Sequence, residues 1–479
     1  MKDVTSLFSR YRPRFVRSLI YMLQASEYDI REYLRWYHRT SDFAHVEKRK
    51  TLVWTAKVKV LFAISWIVII VWAVGLMWYA GSTGSDVPIV VLAGVVFLLP
   101  FYFPYMLAAL AWIVQLLQRP IENSIVAKAK QTLTTHQGFK IAIAGSYGKT
   151  SMREILRTVL SEGKKVAAPP GSHNTPLGIA KFISTLSGDE NVLIFELGEY
   201  YPGDIRKLCE FVQPDLGIIT GVNEAHLEKF GTLERAADTI FELSAFVAPE
   251  NLYINGENEL ASARAEGRNV VYSRAGAGRF AVGHTKTGLD GTSFSLVLDD
   301  DSRIDARSHL LGLHQIGPLV AAADIAAKLK LDLKQIVSGI SKTAAFEHRL
   351  QKRVDATGVV TLDDSYNGNP DGAKAVIEFL ASLKGHRRFY VTPGLVEAGA
   401  RKQMVHAKIG EELARAGIEK VVLVKTSVTP FIEQSLRKAG FHGEVLKFDD
   451  MPKALEALQH MTVSGDVVLI QNDWPDQYA

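Results

Sequence analysis

FKIAIAGSYGKTSMREILRTVL, residues 139–160, places an apolar β-rich run, a glycine loop and an amphipathic run in immediate succession. A glycine loop between a strand and a helix N-terminus turns backbone N–H groups toward one point, where they can meet phosphate. The spacing predicts a nucleotide site made of Gly145, Ser146, Tyr147, Gly148, Lys149, Thr150 and Ser151. In such a loop the lysine neutralises the outer phosphates and the threonine hydroxyl reaches magnesium. Ile143 stands where the strict phosphate-loop pattern has its first glycine. A plain glycine turn with a surface lysine is therefore the competing reading.

Downstream, β-rich runs alternate with amphipathic ones, as in NVLIFELG at 191–198 and LGIITGV at 216–222. That pattern predicts a parallel sheet flanked by helices. Glu196 closes the first of these runs, and an acidic residue at a strand end beside a phosphate loop matches a hard, oxygen-preferring metal. Its rival role is to partner a lysine. After about residue 345 the alternation resumes, in RRFYVTPG at 387–394, KVVLVK at 420–425 and VVLIQND at 467–473, which predicts a smaller α/β domain.

Upstream the pattern is of another kind. Val60 to Ala80 carries no charge and meets the roughly 20 residues a bilayer crossing needs. A second uncharged stretch, Val87 to Gln118, contains Pro100 and Pro104 and predicts a kinked or tilted span ending in an interfacial turn. The link GSTGSDVP lacks Lys and Arg, whereas Lys48, Arg49, Lys50, Lys57 and Lys59 precede the first span and Arg119, Lys128 and Lys130 follow the second. By the positive-inside rule both ends face the cytoplasm, giving a two-pass protein of the cytoplasmic membrane with cytoplasmic catalytic domains. An apolar run this far from the start, followed by another, is not expected to be a cleaved signal peptide.

Over 479 residues the formal charge is only +4, and much of the basicity sits in the first fifty residues, where Arg alternates with Tyr, Phe and Trp. Beside a membrane hairpin this composition suits an anionic leaflet better than nucleic acid, and no nucleic-acid partner is expected. A cytoplasmic helix packed on the catalytic domain is the alternative. The single cysteine, Cys209, excludes an internal disulfide and is expected to be a packing residue. The expected organisation is a basic segment over 1–56, a transmembrane hairpin over 57–118, a central ATP-binding domain over 119–344 and a C-terminal domain over 345–479.

The loop GSYGKTS and the motifs after it, in order, resemble those of the Mur ligases. They are GSHNTPLG at 171–178, FELGEYYPGDI at 195–205, NEAHLEKFGT at 223–232, INGENE at 254–259, LGLHQ at 311–315, EHRL at 347–350 and DDSYNGNPD at 363–371. The last is nearest to the MurF branch. The resemblance covers roughly residues 135 to 470 and implies an ATP- and magnesium-dependent acid–amino acid ligase of peptidoglycan or cell-envelope precursor synthesis. It would join a peptide carboxylate to the amine of an amino acid or dipeptide through an acyl-phosphate. The resemblance also implies roles for particular residues. Lys149, Glu196, His226 and Arg349 form the catalytic set, and Thr150, Glu196 and His226 hold metal. Arg349 and Asp363 serve the γ-phosphate and the ribose or phosphate region, and Asn255, with Gln315, faces adenine.

Three departures bear on function. Where most Mur ligases carry a carbamylated lysine, Ile240 stands, leaving Glu242 or water to hold any second metal. The end, GDVVLIQNDWPDQYA, differs from the glycine-serine ending typical of MurF. The basic segment and two spans replace the small domain that holds UDP, so a UDP-linked and a lipid-linked acceptor are both open. A ligase of another membrane-linked or γ-linked polymer and an inactive nucleotide-binding scaffold are the alternatives.

Overall fold

The computed structural model describes residues 10–12, 14–40, 43, 46, 51–83, 87–171, 173–224, 227–366, 368–395 and 401–471. The chain divides into two compact units, meeting in sequence between Ser124 and Ile125.

In the first unit, α1 (Phe15–Ala25) and α2 (Ile30–Arg39) precede the long apolar helices α3 (Ala56–Thr83) and α4 (Val87–Thr135). Asp29 starts α2 by accepting from the Arg31 and Glu32 N–H groups, at 2.8 and 3.0 Å, two donors the first turn cannot satisfy itself. Leu19, Ile20 and Leu23 of α1 pack with Tyr33 of α2, Val58 and Leu61 of α3, and Phe103, Leu107 and Ala111 of α4. The buried Tyr33 hydroxyl donates to the Pro104 carbonyl (3.3 Å), and the Arg10 guanidinium lies over the rings of Tyr37, Phe43 and Phe101. The apolar face of the leading segment is thus used against the two long helices. Trp66, Ile70, Trp72 and Trp78 stay exposed on α3, and Trp112 and Leu117 on α4. Among the described residues two stretches are long and apolar enough to cross a membrane, Ala56–Tyr79 with mean hydropathy 2.7 and Pro100–Thr135 with 1.5. The expected turn near Gln118 does not form, because α4 runs unbroken to Thr135 through Pro100, Pro104 and Pro120. Its last turns are amphipathic, and Ala129 and Leu133 are buried in the second unit's core.

The second unit begins with β1 (Phe139–Ala144), α5 (Lys149–Leu160), β2 (Val166–Ala167), α6 (Pro176–Ile183), β3 (Val192–Glu196), α7 (Asp204–Val212) and β4 (Leu216–Ile219). After α8 (Leu227–Phe230) and α9 (Leu233–Phe241) come β5 (Leu252–Asn255), α10 (Glu259–Ser262) and β6 (Val270–Tyr272). These strands form an all-parallel sheet in the order β2-β3-β1-β4-β5-β6. Fully buried β3 and β4, apolar on both faces, are what a doubly covered parallel sheet requires. Strand β1 lies between β3 and β4, so the chain leaves it in opposite directions across the sheet. The crevice at the carboxyl ends of these three strands is where open α/β sheets receive ligands.

A feature the alternation did not signal follows. Strands β7 (Gly276–Ala277), β8 (Phe280–Gly288), β9 (Gly291–Val297) and β10 (Arg303–Ser308) form an antiparallel sheet, whose Phe280, Phe294 and Leu296 join the core under α5 and α11 (Ile316–Lys328). Helix α12 (Leu333–Ser341) starts with a capping box between Asp332 and Gln335.

The third sheet comprises β11 (Gln351–Val354), β12 (Val360–Asp364), β13 (Arg388–Thr392), β14 (Lys420–Val424), β15 (Glu444–Phe448) and β16 (Val467–Gln471). Its order is β11-β12-β16-β13-β14-β15, with only the β11–β12 pairing antiparallel. It carries α13 (Pro370–Ser382), α14 (Lys402–Ala416), α15 (Thr429–Lys438) and α16 (Met451–Met461). Cys209 is free and wholly buried on α7, and burial pushes its thiol up to about 12.

Candidate active site

Strand β1 ends in the glycine loop. Gly145 has φ +142° and a Cβ on it would collide with the Thr220 hydroxyl; Gly148, at φ +74°, takes the left-handed conformation that turns the chain into α5. Lys149 and Thr150 therefore occupy the first turn of α5, facing the crevice. The Lys149 ammonium donates to both oxygens of Glu199 at 2.9 Å and also to the Gly145 carbonyl. Thr150 Oγ1 donates to Glu196 Oε2 at 3.0 Å. The other Glu196 oxygen is ion-paired with Arg153, 2.7 Å from its Nη1, and accepts no hydrogen bond among the described residues. Burial pushes the Glu196 carboxyl above its ordinary range, against the pull of Arg153 and Lys149.

Register explains why the two strand ends meet, since Glu196 of β3 pairs with Ile143 of β1, two residues before the loop. The segment after β3 is tied down by the Gly198 N–H, which donates to the Asn174 carbonyl at 2.9 Å. A Cβ on Gly198 would come within 2.8 Å of that same oxygen, so only glycine allows this approach. It is this fold-back that delivers Glu199.

In front of the loop lies a cavity of about 410 Å³, lined by Tyr147, Gly148, Ser151, Asn255, His314 and Gln315 among others. Asn255 donates to the Thr220 carbonyl (2.9 Å) and accepts from the Glu257 N–H (3.0 Å), so its side chain shapes the loops around it. The Gln315 amide and the His314 ring lie 2.9 Å apart. Burial, helped by Arg274, pushes His314 down to about 4, which keeps it neutral at physiological pH.

Comparison with known proteins follows the same order. Residues 143–326 match the Mur ligase middle domain and residues 348–471 the Mur ligase glutamate ligase domain. The UDP-N-acetylmuramoyl-tripeptide–D-alanyl-D-alanine ligase of Mycobacterium tuberculosis is 30% identical over 355 residues, 69% of each chain. This chain belongs to the Mur ligase family. Within it the chain is MurF-like. Crystal structures of MurF from Acinetobacter baumannii (TM-score 0.65, 20% identity, 74% of this chain and 78% of that one) and of Thermotoga maritima MurF in complex with ADP (0.64, 23%, 74% and 80%) share its fold.

The cavity's second wall in this Mur ligase comes from the C-terminal domain. Arg349 lies between His348 and Leu350, whose φ values of +60° and +48° are uncommon for residues with side chains. Two aspartates hold this loop. Asp364 accepts from the Leu350 N–H at 3.1 Å, and the His348 ring lies 2.8 Å from Asp363. The Arg349 guanidinium faces Tyr366, with 5.1 Å to the ring centroid, and its Nε is buried without a hydrogen-bond partner among the described residues. Burial lowers its pKa while Asp364, Tyr366 and Glu196 act in the opposite direction; burial pushes Asp364 up to about 6.

Asn223, after β4, donates to Asn369 (3.0 Å) and Asp371 (2.9 Å) of the DDSYNGNPD motif, and Arg274 binds both Glu257 and Glu378. These bonds join the two domains at the cavity rim.

The fold therefore brings Lys149, Thr150 and Glu196 together, and sets Tyr147, Gly148, Ser151, Asn255 and Arg349 around one cavity. Gly145 and Ser146 form the back of the loop, where the Ser146 N–H donates to the Gly221 carbonyl. Asp363 faces His348 and Ser365, and its neighbour Asp364 lines the cavity in its place. Ile240 is buried in the core, and Glu242 accepts from the Arg206 N–H (2.9 Å) at the start of α7. His226 lies outside the described residues. Sequence reasoning missed Glu199, Arg153 and Asp364. A second acidic residue three positions after Glu196 was a usable signal for the first.

Proposed function

We propose that this MurF-like ligase joins the C-terminal carboxylate of a muramyl-type peptide to the amine of an amino acid or dipeptide such as D-alanyl-D-alanine, at the expense of ATP. One observation carries the reading. Lys149, Thr150 and Glu196 from one domain and Arg349 from the next line or adjoin a single cavity fronted by a glycine loop.

The glycine loop and the N–H groups of the first turn of α5 cradle the phosphates. Lys149 and Arg349 oppose the charge that spreads over the γ-phosphoryl oxygens as the carboxylate attacks. That step forms a C–O–P bond and releases ADP; the amine then attacks the acyl carbon and phosphate leaves. The domain bonds through Asn223 keep the two walls in register.

Magnesium fits this site. Among the described residues no three His, Cys, Asp or Glu side chains cluster as a complete cage. Magnesium does not need one, because it is held by one or two carboxylates together with waters and substrate phosphates. The Glu196 carboxylate and the Thr150 hydroxyl, 3.0 Å apart beside the glycine loop, are suitable ligands, and His226 is proposed for a second magnesium or its water shell. When bound, the ion supplies positive charge between the outer phosphates.

The long apolar helices α3 and α4, with exposed Trp66, Trp72, Trp78 and Trp112, support attachment to the cytoplasmic membrane as a hairpin, with catalytic domains in the cytoplasm and an acceptor that is UDP-linked or lipid-linked. The test is phosphate release from MgATP by the full chain in detergent, offered UDP-muramyl tripeptide or its lipid-linked form with D-alanyl-D-alanine, and Lys149→Ala as control. Turnover that needs acceptor and amine together supports the ligase and identifies the acceptor. ATP binding without amine-dependent phosphate release on either acceptor would sink it.

A further inference from the structure

We propose that Glu199 makes nucleotide binding depend on a divalent cation, by holding Lys149 in a buried ion pair until the cation takes the lysine's place on its carboxylate. The inference rests on the nucleotide reading above and names the residue that regulates that site.

The Lys149 side chain is 13% exposed and that of Glu199 2%. All three ammonium protons are engaged, two by the Glu199 oxygens and one by the Gly145 carbonyl. Lysine in this state has nothing left for a phosphate. To reach a nucleotide it must leave Glu199, and among the described residues Lys149 is the one cation paired with that carboxylate. A buried carboxylate stripped of its partner is strongly disfavoured. Free nucleotide adds negative charge to the same place and worsens the deficit.

A divalent cation removes it. Lys149 and Thr150 are consecutive in the first turn of α5 and reach Glu199 and Glu196 respectively, so both carboxylates face the same helix end. Arg153 already balances Glu196, with Nη1 2.7 Å from one of its oxygens, so the carboxylate that a hard cation must neutralise when Lys149 leaves is Glu199. The exchange keeps Glu199 beside a positive charge throughout: Lys149 passes to the phosphates while the cation, arriving with them, sits with Glu199. Glu199 is thus a positioning residue for Lys149 before binding and a metal ligand after it.

The experiment measures the dissociation constant of ATP, in EDTA and in excess magnesium, for the full chain in detergent and for Glu199→Gln, by calorimetry. In the wild type magnesium should tighten ATP binding by about 5–150-fold, the usual range of coupling between two ligands. Glu199→Gln keeps the shape and removes the charge, so metal-free ATP should bind more tightly and the ratio should fall toward one. Manganese, followed by its EPR signal, should bind more weakly to the Glu199→Gln complex with ADP. An unchanged ratio in a folded Glu199→Gln variant overturns the proposal. Failure of the wild type to bind MgATP at all instead overturns the nucleotide reading. If Glu199→Gln does not fold, Lys149→Met serves: it leaves the carboxylate without its cation and should bind manganese in the absence of nucleotide, unlike the wild type. No such gain overturns the proposal equally.

Discussion

The two walls of the cavity are built on opposite electrostatic plans. On the central-domain side each charge is matched at close range, Lys149 by Glu199 and Arg153 by Glu196, within a sheet whose register sets the pairs. On the C-terminal side Arg349 is buried with an Nε that has no hydrogen-bond partner among the described residues, on a loop held in uncommon backbone conformations, beside an aspartate that burial has pushed up to about 6. The charges of the first wall are paired within the chain. The second wall is incomplete without a ligand, and strain of this kind collects where one will later be gripped.

The sharpest way to break this comparison is Arg349→Ala. If the second wall acts on the transferring phosphoryl group, turnover should fall by about 10³-fold or more while ATP affinity changes little. Equal loss of both in steady-state kinetics and calorimetry would place Arg349 in ground-state binding. Glu196→Gln strikes the first wall. It should raise the magnesium concentration for half-maximal turnover by at least about 10–100-fold, the loss seen when even an outer partner of a metal ligand is removed. A magnesium titration with unchanged midpoint would rule out Glu196 as a ligand.

Smaller effects sharpen the contrast further. Because the Asp364 carboxyl rises from 3.8 to about 6 on folding, the folded chain holds a proton that the unfolded chain has released between those values. This group's contribution to stability is therefore full below about pH 4 and lost as pH rises to about 6, by up to about 3 kcal/mol. Thermal unfolding at stepped pH should show that decline in the wild type, and Asp364→Asn should flatten it; parallel curves would refute the assignment. The smallest effect is expected at the rim. Asn223→Ala removes the hydrogen bonds to Asn369 and Asp371 and should cost about 1–2 kcal/mol in chemical denaturation, with KM for ATP affected more than the unfolding of the first unit.

Much of the first wall was legible because it is local. Strand, loop, Lys149 and Thr150 are contiguous, and Glu196 ends a recognisable strand, so spacing alone places them. Glu199 was not, since its partner lies fifty residues earlier and meets it only after β3 has paired with β1 and Gly198 has folded against Asn174. In the second wall the sequence named Asp363, and it is Asp364 that lines the cavity. In the pair Asp363–Asp364 successive side chains on β12 point to opposite faces, and the sequence does not say which face meets the cavity. The antiparallel sheet over 276–308 was missed because its strands are broken by polar and charged residues on their outer face, and α4 outran its expected end because an amphipathic run needs a core to show which side is apolar.

The sequence by itself determined the order of motifs, the nucleotide loop, the two apolar helices and the membership of the Mur ligase family, all properties of contiguous residues or their spacing. Tertiary structure alone decided the partners of the charges: Lys149 with Glu199, Arg153 with Glu196, Asp364 rather than Asp363 beside Arg349. Composition is carried along the chain, whereas electrostatic pairing depends on distance and burial, which exist only once strands far apart in sequence lie side by side.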